Sequence, residues 1–408
     1  MELHPDSRVS ASSISNSKVL GTITKLVSNL PWLSRYPLWR AREILQRLRE
    51  DGGDQHLIVI VANHFEPAYN EEPNDKGGFG IPIDLDTQLR RIDEWARDAY
   101  SIGNAVRDCE GTPFRHTNFY PAEQYHREIL DRMAQMQSDG FGEVEIHLHH
   151  GVDQPDTAEN LKDAIIEFRD LLAQEHKCLS REGEHGSPQY AFIHGNWALA
   201  NSAKGRFCGV DSEMEILAET GCYADMTLPS APSVTQVSPI NSIYQCGLPL
   251  HKRMPHRSGR NLAVGEPATL PIIFTGPLVF DWRWNSGLIP RLRLETGDIT
   301  LNAPLDPERF NLWRGAKIGV KGRPEWVFIK LHCHGFFPGD QPTLVGGRMR
   351  DFWRQILELS EGTGAFRLHF ATAREAYNMT RAAVDGHAGD PGQYRNYRLR
   401  QIMDLHLS

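Results

Sequence analysis

Histidines and carboxylates gather where apolar runs of this chain end. HLIVIVANHFEP closes on Asn63, His64 and Glu66, and GEVEIHLHHGVD carries His147, His149, His150 and Asp153. YAFIHGNW supplies His194, Asn196 and Trp197, and WVFIKLHCHG ends in His332 and His334. Alternate residues of a strand face the same way, so His147 shares a side with His149 and His332 with His334. A single histidine in such a place is more often a satisfied polar group than a ligand. Several at successive strand ends point to a shared partner, because polar groups closing apolar strands must be satisfied and a divalent cation does this. Imidazoles with carboxylates suit zinc or a similar transition metal. Such an ion activates water and polarises a carbonyl, while a nearby carboxylate or imidazole moves the proton.

Alternating elements must position these groups. HLIVIVANH is a short apolar run rich in β-branched residues and reads as a buried parallel strand. Helix TQLRRIDEWARDAY, strand HTNFY, helix PAEQYHREILDRMAQM and strand GEVEIHLHH follow. The next helix opens at Thr157, and helix SEMEILAETG ends at Gly221. Strand CYADMTL holds Asp225, and strands WVFIKLHCH and FRLHF precede a helix over 372–381 with a Thr372–Glu375 capping box. This rhythm predicts an α/β fold, a parallel sheet or barrel with its site at the carboxyl ends of the strands.

Residues 231–320 break the rhythm and read as a β-rich insertion, with a hairpin turning at Thr296, Gly297 and Asp298. Its DWRW, with Trp282 and Trp284, lines a glycan groove or packs in a core, and the basic run 251–260 reads as a solvated loop. Residues 1–28, rich in Ser and Asn, predict disorder. Residues 29–55 read as an amphipathic helix, with Trp32, Leu38, Trp39 and Ile44 among Arg35, Arg40, Arg42 and Arg47. Such a helix packs on the main domain or lies on an anionic membrane. A C-terminal tail covers 386–408.

With 40% hydrophobic and 24% charged residues, the 408-residue chain has the composition of a globular enzyme. A net charge of −8 argues against a nucleic-acid partner. The six cysteines form no CxxC pair, which predicts free thiols in a reducing, cytoplasmic setting, peripheral at the inner membrane face if the N-terminal helix binds lipid. No secretory signal and no long apolar stretch is visible.

In order, these segments resemble the polysaccharide-deacetylase (NodB-like) family over roughly 56–380, which implies a distorted (β/α)7-type barrel. That family's first strand ends in two aspartates, a base and a ligand; here Asn63 and His64 stand there. The resemblance aligns His149 and Asp153, in HLHHGVD, with its two ligand histidines, HGNW with its Arg-x-Pro-Tyr loop, GCYADMTLPS with its Gly-x-x-x-Asp segment, KLHCH with its closing histidine motif and HFATAREAY with its last element. It implies a zinc-type metal on His64, His147, His149 and Asp153, and hydrolysis of an acyl amide, N-acetyl foremost, on a carbohydrate. Glu66 takes the base role that Asn63 cannot fill, and His332 or His334 is the acid. Asn63, His194, Asn196, Trp197 and Asp225 contact substrate. Two alternatives stay open: a glycosidase pairing Glu66 with Asp225, and a non-catalytic glycan-binding or polysaccharide-assembly protein, which the loss of the aspartate at Asn63 favours.

Overall fold

Among the described residues, ten strands form one sheet: β1 (His56–His64), β2 (His116–Pro121), β3 (Gly142–Leu148), β4 (Tyr190–His194), β5 (Cys222–Asp225), β6 (Ile243–Cys246), β7 (Gly259–Asn261), β8 (Ile272–Phe274), β9 (Trp326–His334) and β10 (Arg367–Phe370). The computed structural model describes residues 24, 27–49, 55–70, 83–282, 285–286, 289–290, 293–303 and 305–406. The disorder expected over 1–28 lies outside the described residues except at Thr24, Val27 and Ser28, which are helical.

The strand order is β9-β1-β2-β3-β4-β5-β8-β6-β7, and β10 also pairs with the amino half of β1. Pairing is parallel from β9 to β8. β6 and β7 then run antiparallel. The sheet does not close, so the expected barrel is corrected to an open α/β sheet. Beyond β8 the ladder is taken up by the two antiparallel strands instead of returning to β9. A side chain links β9 to the segment after β5: Lys330 Nζ donates to Met226 O and Leu228 O at 2.7 and 2.8 Å.

Both faces of β1 are covered, which is why its sequence is apolar throughout. Leu57, Val59 and Val61 join one core with α2 (Leu85–Ala105), α3 (Arg127–Ser138), α4 (Ala158–Gln174) and α7 (Gly347–Thr363). Ile58, Ile60 and Ala62 join a second core with α8 (Ala373–Val384). Burying each such Leu, Ile or Val stabilises the fold by about 1.5–3 kcal/mol. The caps form as the sequence predicts: Thr157 accepts from Asn160 N, Thr372 and Glu375 make a capping box, and Gly221 takes φ +99°.

Residues 231–320 differ from expectation. β6, β7 and β8 belong to the main sheet. No hairpin turns at Thr296–Asp298; Arg293–Glu295 pairs with Val279–Asp281 instead, and Asp298 bridges to His332. The cause is the buried pair of Glu295 with Arg309 of α6 (Pro307–Gly315), at 2.7 Å, whose guanidinium also donates to Asp298 O. That clamp draws Asp298 towards β9.

In the N-terminal segment Trp32 is 2% exposed among Ala231, Ile240 and Leu278. The tyrosine opening α1 (Tyr36–Arg49) accepts from Phe280 N through its hydroxyl. Packing on the main domain therefore holds at these two residues, while Leu38, Ile44 and Leu45 remain exposed. Among the described residues no helix is long and apolar enough to cross a membrane. No disulfide joins the six cysteines.

Candidate metal centre

The carboxyl ends of β1, β3 and β9 bring four imidazoles around one carboxylate. His64 lies beside His334 in register, with ring centroids 4.4 Å apart. His147 is 4.8 Å from His64 and 4.5 Å from His149 on the same basis. Glu66, just past β1 and only 2% exposed, occupies the middle. Its Oε1 lies 3.0 Å from His147 Nε2 and 3.5 Å from His149 Nε2, and its Oε2 lies 3.3 Å from His334 Nδ1. Ligand atoms of His64, Glu66 and His147 all fall within 4.8 Å of one another.

Hydrogen bonding assigns the tautomers. His147 Nδ1 is 2.8 Å from the Ile193 carbonyl oxygen, which only accepts, so Nδ1 carries the proton. His149 Nδ1 is likewise 2.7 Å from Glu123 Oε1. In the neutral rings both Nε2 atoms are then lone pairs, and both face the Glu66 carboxylate. Lone pairs against an anion repel unless a cation or additional protons lie between them. Histidines that ligate metals characteristically donate their other N–H to a carboxylate or carbonyl, as these two do. Burial, with His334 and His147 alongside, pushes His64 well below the usual imidazole range and keeps it in the neutral, ligating form. Burial alone would lift Glu66, but with the facing His147 and His334 rings protonated, their hydrogen bonds and positive charge, standing where a cation would, outweigh it and hold the carboxyl well below its ordinary value. For His149 burial acts downward, and the Glu123 carboxylate reverses it.

The rim is more open, with the His334 and Asp298 side chains 17% and 37% exposed. Phe337 stacks on His334 at 4.3 Å, and Tyr69 packs against Phe337. His332 Nε2 stands 3.8 Å from Asp298 Oδ1, and its buried Nδ1 has no hydrogen-bond partner among the described residues. Burial, reinforced by Lys330 and His334, lowers His332 strongly; burial raises Asp298. On the other side, Gly195 packs its backbone on His149, where a Cβ would lie 2.3 Å from Cδ2. The turn made there leaves Trp197 36% exposed.

Several expected site residues lie elsewhere. Asp153 is exposed and outside the cluster. The chain bends away at Gly151 (φ +64°), where a Cβ would sit 2.0 Å from Cys208 O. Asn63 is turned away from His64 by strand alternation and bonds Asn118 and Cys333, so it does not face substrate. His194 is fully buried and meets His150, not the rim. Asp225 is also buried, with its carboxylate bonded to Thr227. Glu66, expected as a free base, is engaged by three imidazoles and stands in a ligand position. Asn196, in the left-handed region at φ 55°, shapes the turn beside Trp197. Reading the sequence missed Glu123 and Asp298. Glu123 lies just beyond β2, at the strand end where such residues are sought; Asp298 is disguised by the turn-like Thr-Gly-Asp.

Comparison of the chain with protein-family models, with curated proteins and with solved structures found no match in any of the three.

Proposed function

We propose that this chain is a metal-dependent hydrolase that removes an acyl group, N-acetyl foremost, from a sugar or polysaccharide precursor. The observation that carries it is the convergence of the His147 and His149 Nε2 lone pairs on the Glu66 carboxylate. His64, His147, His149 and Glu66 would hold the ion, with His334 on the more exposed side. Nitrogen and oxygen donors of this kind suit zinc. When bound, such an ion supplies Lewis acidity and a water activated near neutral pH.

The remaining work falls to the chain's own groups. Ile193 O and Glu123 fix the ring orientations of His147 and His149. Asp298 and His332, 3.8 Å apart at the rim, are placed to take a proton from the attacking water and return it to the leaving amine. Trp197 offers an aromatic face for a sugar ring. The carbohydrate part of the reading rests on the order of the motifs and on this exposed tryptophan. Asn63 does not weigh against catalysis, because it faces away from the imidazoles. Pairing Glu66 with Asp225 as a glycosidase loses support from the enclosure of Asp225.

Elemental analysis tests the centre: the purified protein is expected to carry an ion that Glu66→Gln and His149→Ala lose. Acetate release from N-acetylated oligosaccharides tests the chemistry. No ion under metal-replete conditions would sink the reading, and an ion without acyl release would leave a glycan-binding protein.

A further inference from the structure

His194 and His150, which lie outside that centre, meet Cys208 and Glu213 in a second cluster. The chain reaches it from three directions. His194 ends β4, His150 follows β3 on the side opposite His149, and Glu213 opens α5 (Glu213–Thr220) with Cys208 in the loop before it. His150 and His194 approach Nε2 to Nε2 at 3.0 Å. Glu213 Oε1 lies 3.3 and 3.5 Å from those two nitrogens, and Cys208 Sγ lies 3.4 Å from Glu213 Oε2. One ligand atom from each of the four residues falls within 4.8 Å of the others, and all four are buried.

The outward nitrogens are committed. His150 Nδ1 is 2.9 Å from Asp156 Oδ2, and His194 Nδ1 contacts the Gly195 carbonyl oxygen. Both acceptors demand a proton on Nδ1, so the neutral rings aim their Nε2 lone pairs at each other and at a carboxylate. Val210 N donates to Cys208 Sγ at 3.4 Å, and the thiol in turn donates to Glu213 Oε2, a proton that a bound cation would displace. We propose that His150, His194, Cys208 and Glu213 form a second, closed site for a divalent zinc-type ion, distinct in role from the centre around Glu66.

Four protein ligands of nitrogen, sulfur and oxygen type fill a tetrahedral coordination sphere, and a site with no open position is structural. Two neutral imidazoles, one thiolate and one carboxylate carry a total charge that balances a divalent cation. Binding releases the Cys208 thiol proton to solvent. Asp156 and the Gly195 carbonyl supply the outer hydrogen bonds that such histidines require.

The placement gives the ion a task. The loop between His194 and Cys208 holds Asn196, Trp197, Ala200, Asn201, Lys204 and Phe207 at positive φ. Strain of this kind persists only where the surroundings enforce it. The ligands stand at both ends of the loop, so an ion there fastens it and holds Trp197 beside the first centre.

Cobalt(II) reconstitution of the full chain separates the two sites, because only the second contains a thiolate. Wild type is expected to bind two ions and show a near-ultraviolet thiolate-to-cobalt charge-transfer band. Cys208→Ser should lose the band and one ion, and Glu66→Gln should lose the other ion and keep the band. Should Cys208→Ser fail to fold, release of one ion from wild type by a mercurial reagent gives the same information. Wild type with one ion and no band would overturn this second site and leave the first, a proton on His150 then taking the cation's place. One ion with the band would uphold the second site and overturn the first.

Discussion

His332 sits two residues before His334 on the same face of β9, yet only His334 reaches Glu66. Its free buried nitrogen and its approach to Asp298 suit proton transfer better than ligation. His332→Ala is therefore expected to retain the ion and lower acyl hydrolysis by about 10²–10⁴-fold. Parallel elemental analysis and rate measurement check this; loss of the ion would make His332 a ligand. A different histidine reports on the core. His116 packs against Trp95 and Phe114, and burial pushes its pKa down to about 3. Between that value and about 6.5 in the unfolded chain, the unfolded state binds the extra proton. The contribution is whole above about pH 6.5 and is lost as pH falls towards 3. From pH 7 to 4.5 wild type should lose about 2–3 kcal/mol through this group, a loss absent from His116→Phe. Urea unfolding of both proteins at the two pH values gives the comparison, and equal losses would remove His116 as the cause.

Strands and caps were legible because each announces itself locally: an apolar β-branched run, Thr157 before a periodic segment, Thr372 three residues before Glu375. Alternation also placed His147 with His149, and His332 with His334, correctly. Contacts between distant segments were not legible. No spacing rule links His150 and His194 to Cys208 and Glu213, and the four-residue step from His149 to Asp153 fails because Gly151 lies against Cys208. The C-terminal stretch is a further case. Past α8, Arg395 returns to the amino ends of the strands and meets Asp108 at 2.9 Å, Glu110 at 3.0 Å and Glu375 at 3.3 Å. His369 lies in the same group, lifted to about 9 by Cys109 and Glu110 despite its burial. With Arg395 and Arg367 already supplying positive charge to these carboxylates, this group needs no metal. Glu375 keeps Arg115 at 2.7 Å, but removing Arg395 leaves the enclosed Asp108 carboxylate without its cation, so Arg395→Ala should cost about 3–5 kcal/mol. Denaturant unfolding checks it, and a change within about 0.5 kcal/mol would mean the tail is not fastened here.

At the scale of the molecule, the open sheet places β9, which carries His332 and His334, beside the segment after β5 with no backbone ladder between them. Lys330 spans that junction. It is 2% exposed, and burial, opposed by Asp225, lowers its pKa to about 7. A buried lysine is costly, and the cost is offset here by two donated bonds, one to Met226 O and one to Leu228 O, which also accepts from Gly276 N. Lys330→Met keeps the apolar stem and deletes both bonds; Leu228 O retains the Gly276 N–H at 3.1 Å, while Met226 O is left unsatisfied at a cost of about 1–3 kcal/mol. The variant is expected to unfold about 1–3 kcal/mol more easily than wild type, while Lys321→Met, at an exposed position five residues before β9, changes stability by no more than about 0.5 kcal/mol. Urea midpoints with an unchanged denaturant slope measure both. Equal stability of Lys330→Met and wild type would show that β9 is held by its backbone pairing, with β1 and with Asp298, and that the lysine contributes nothing to keeping His332 and His334 in place.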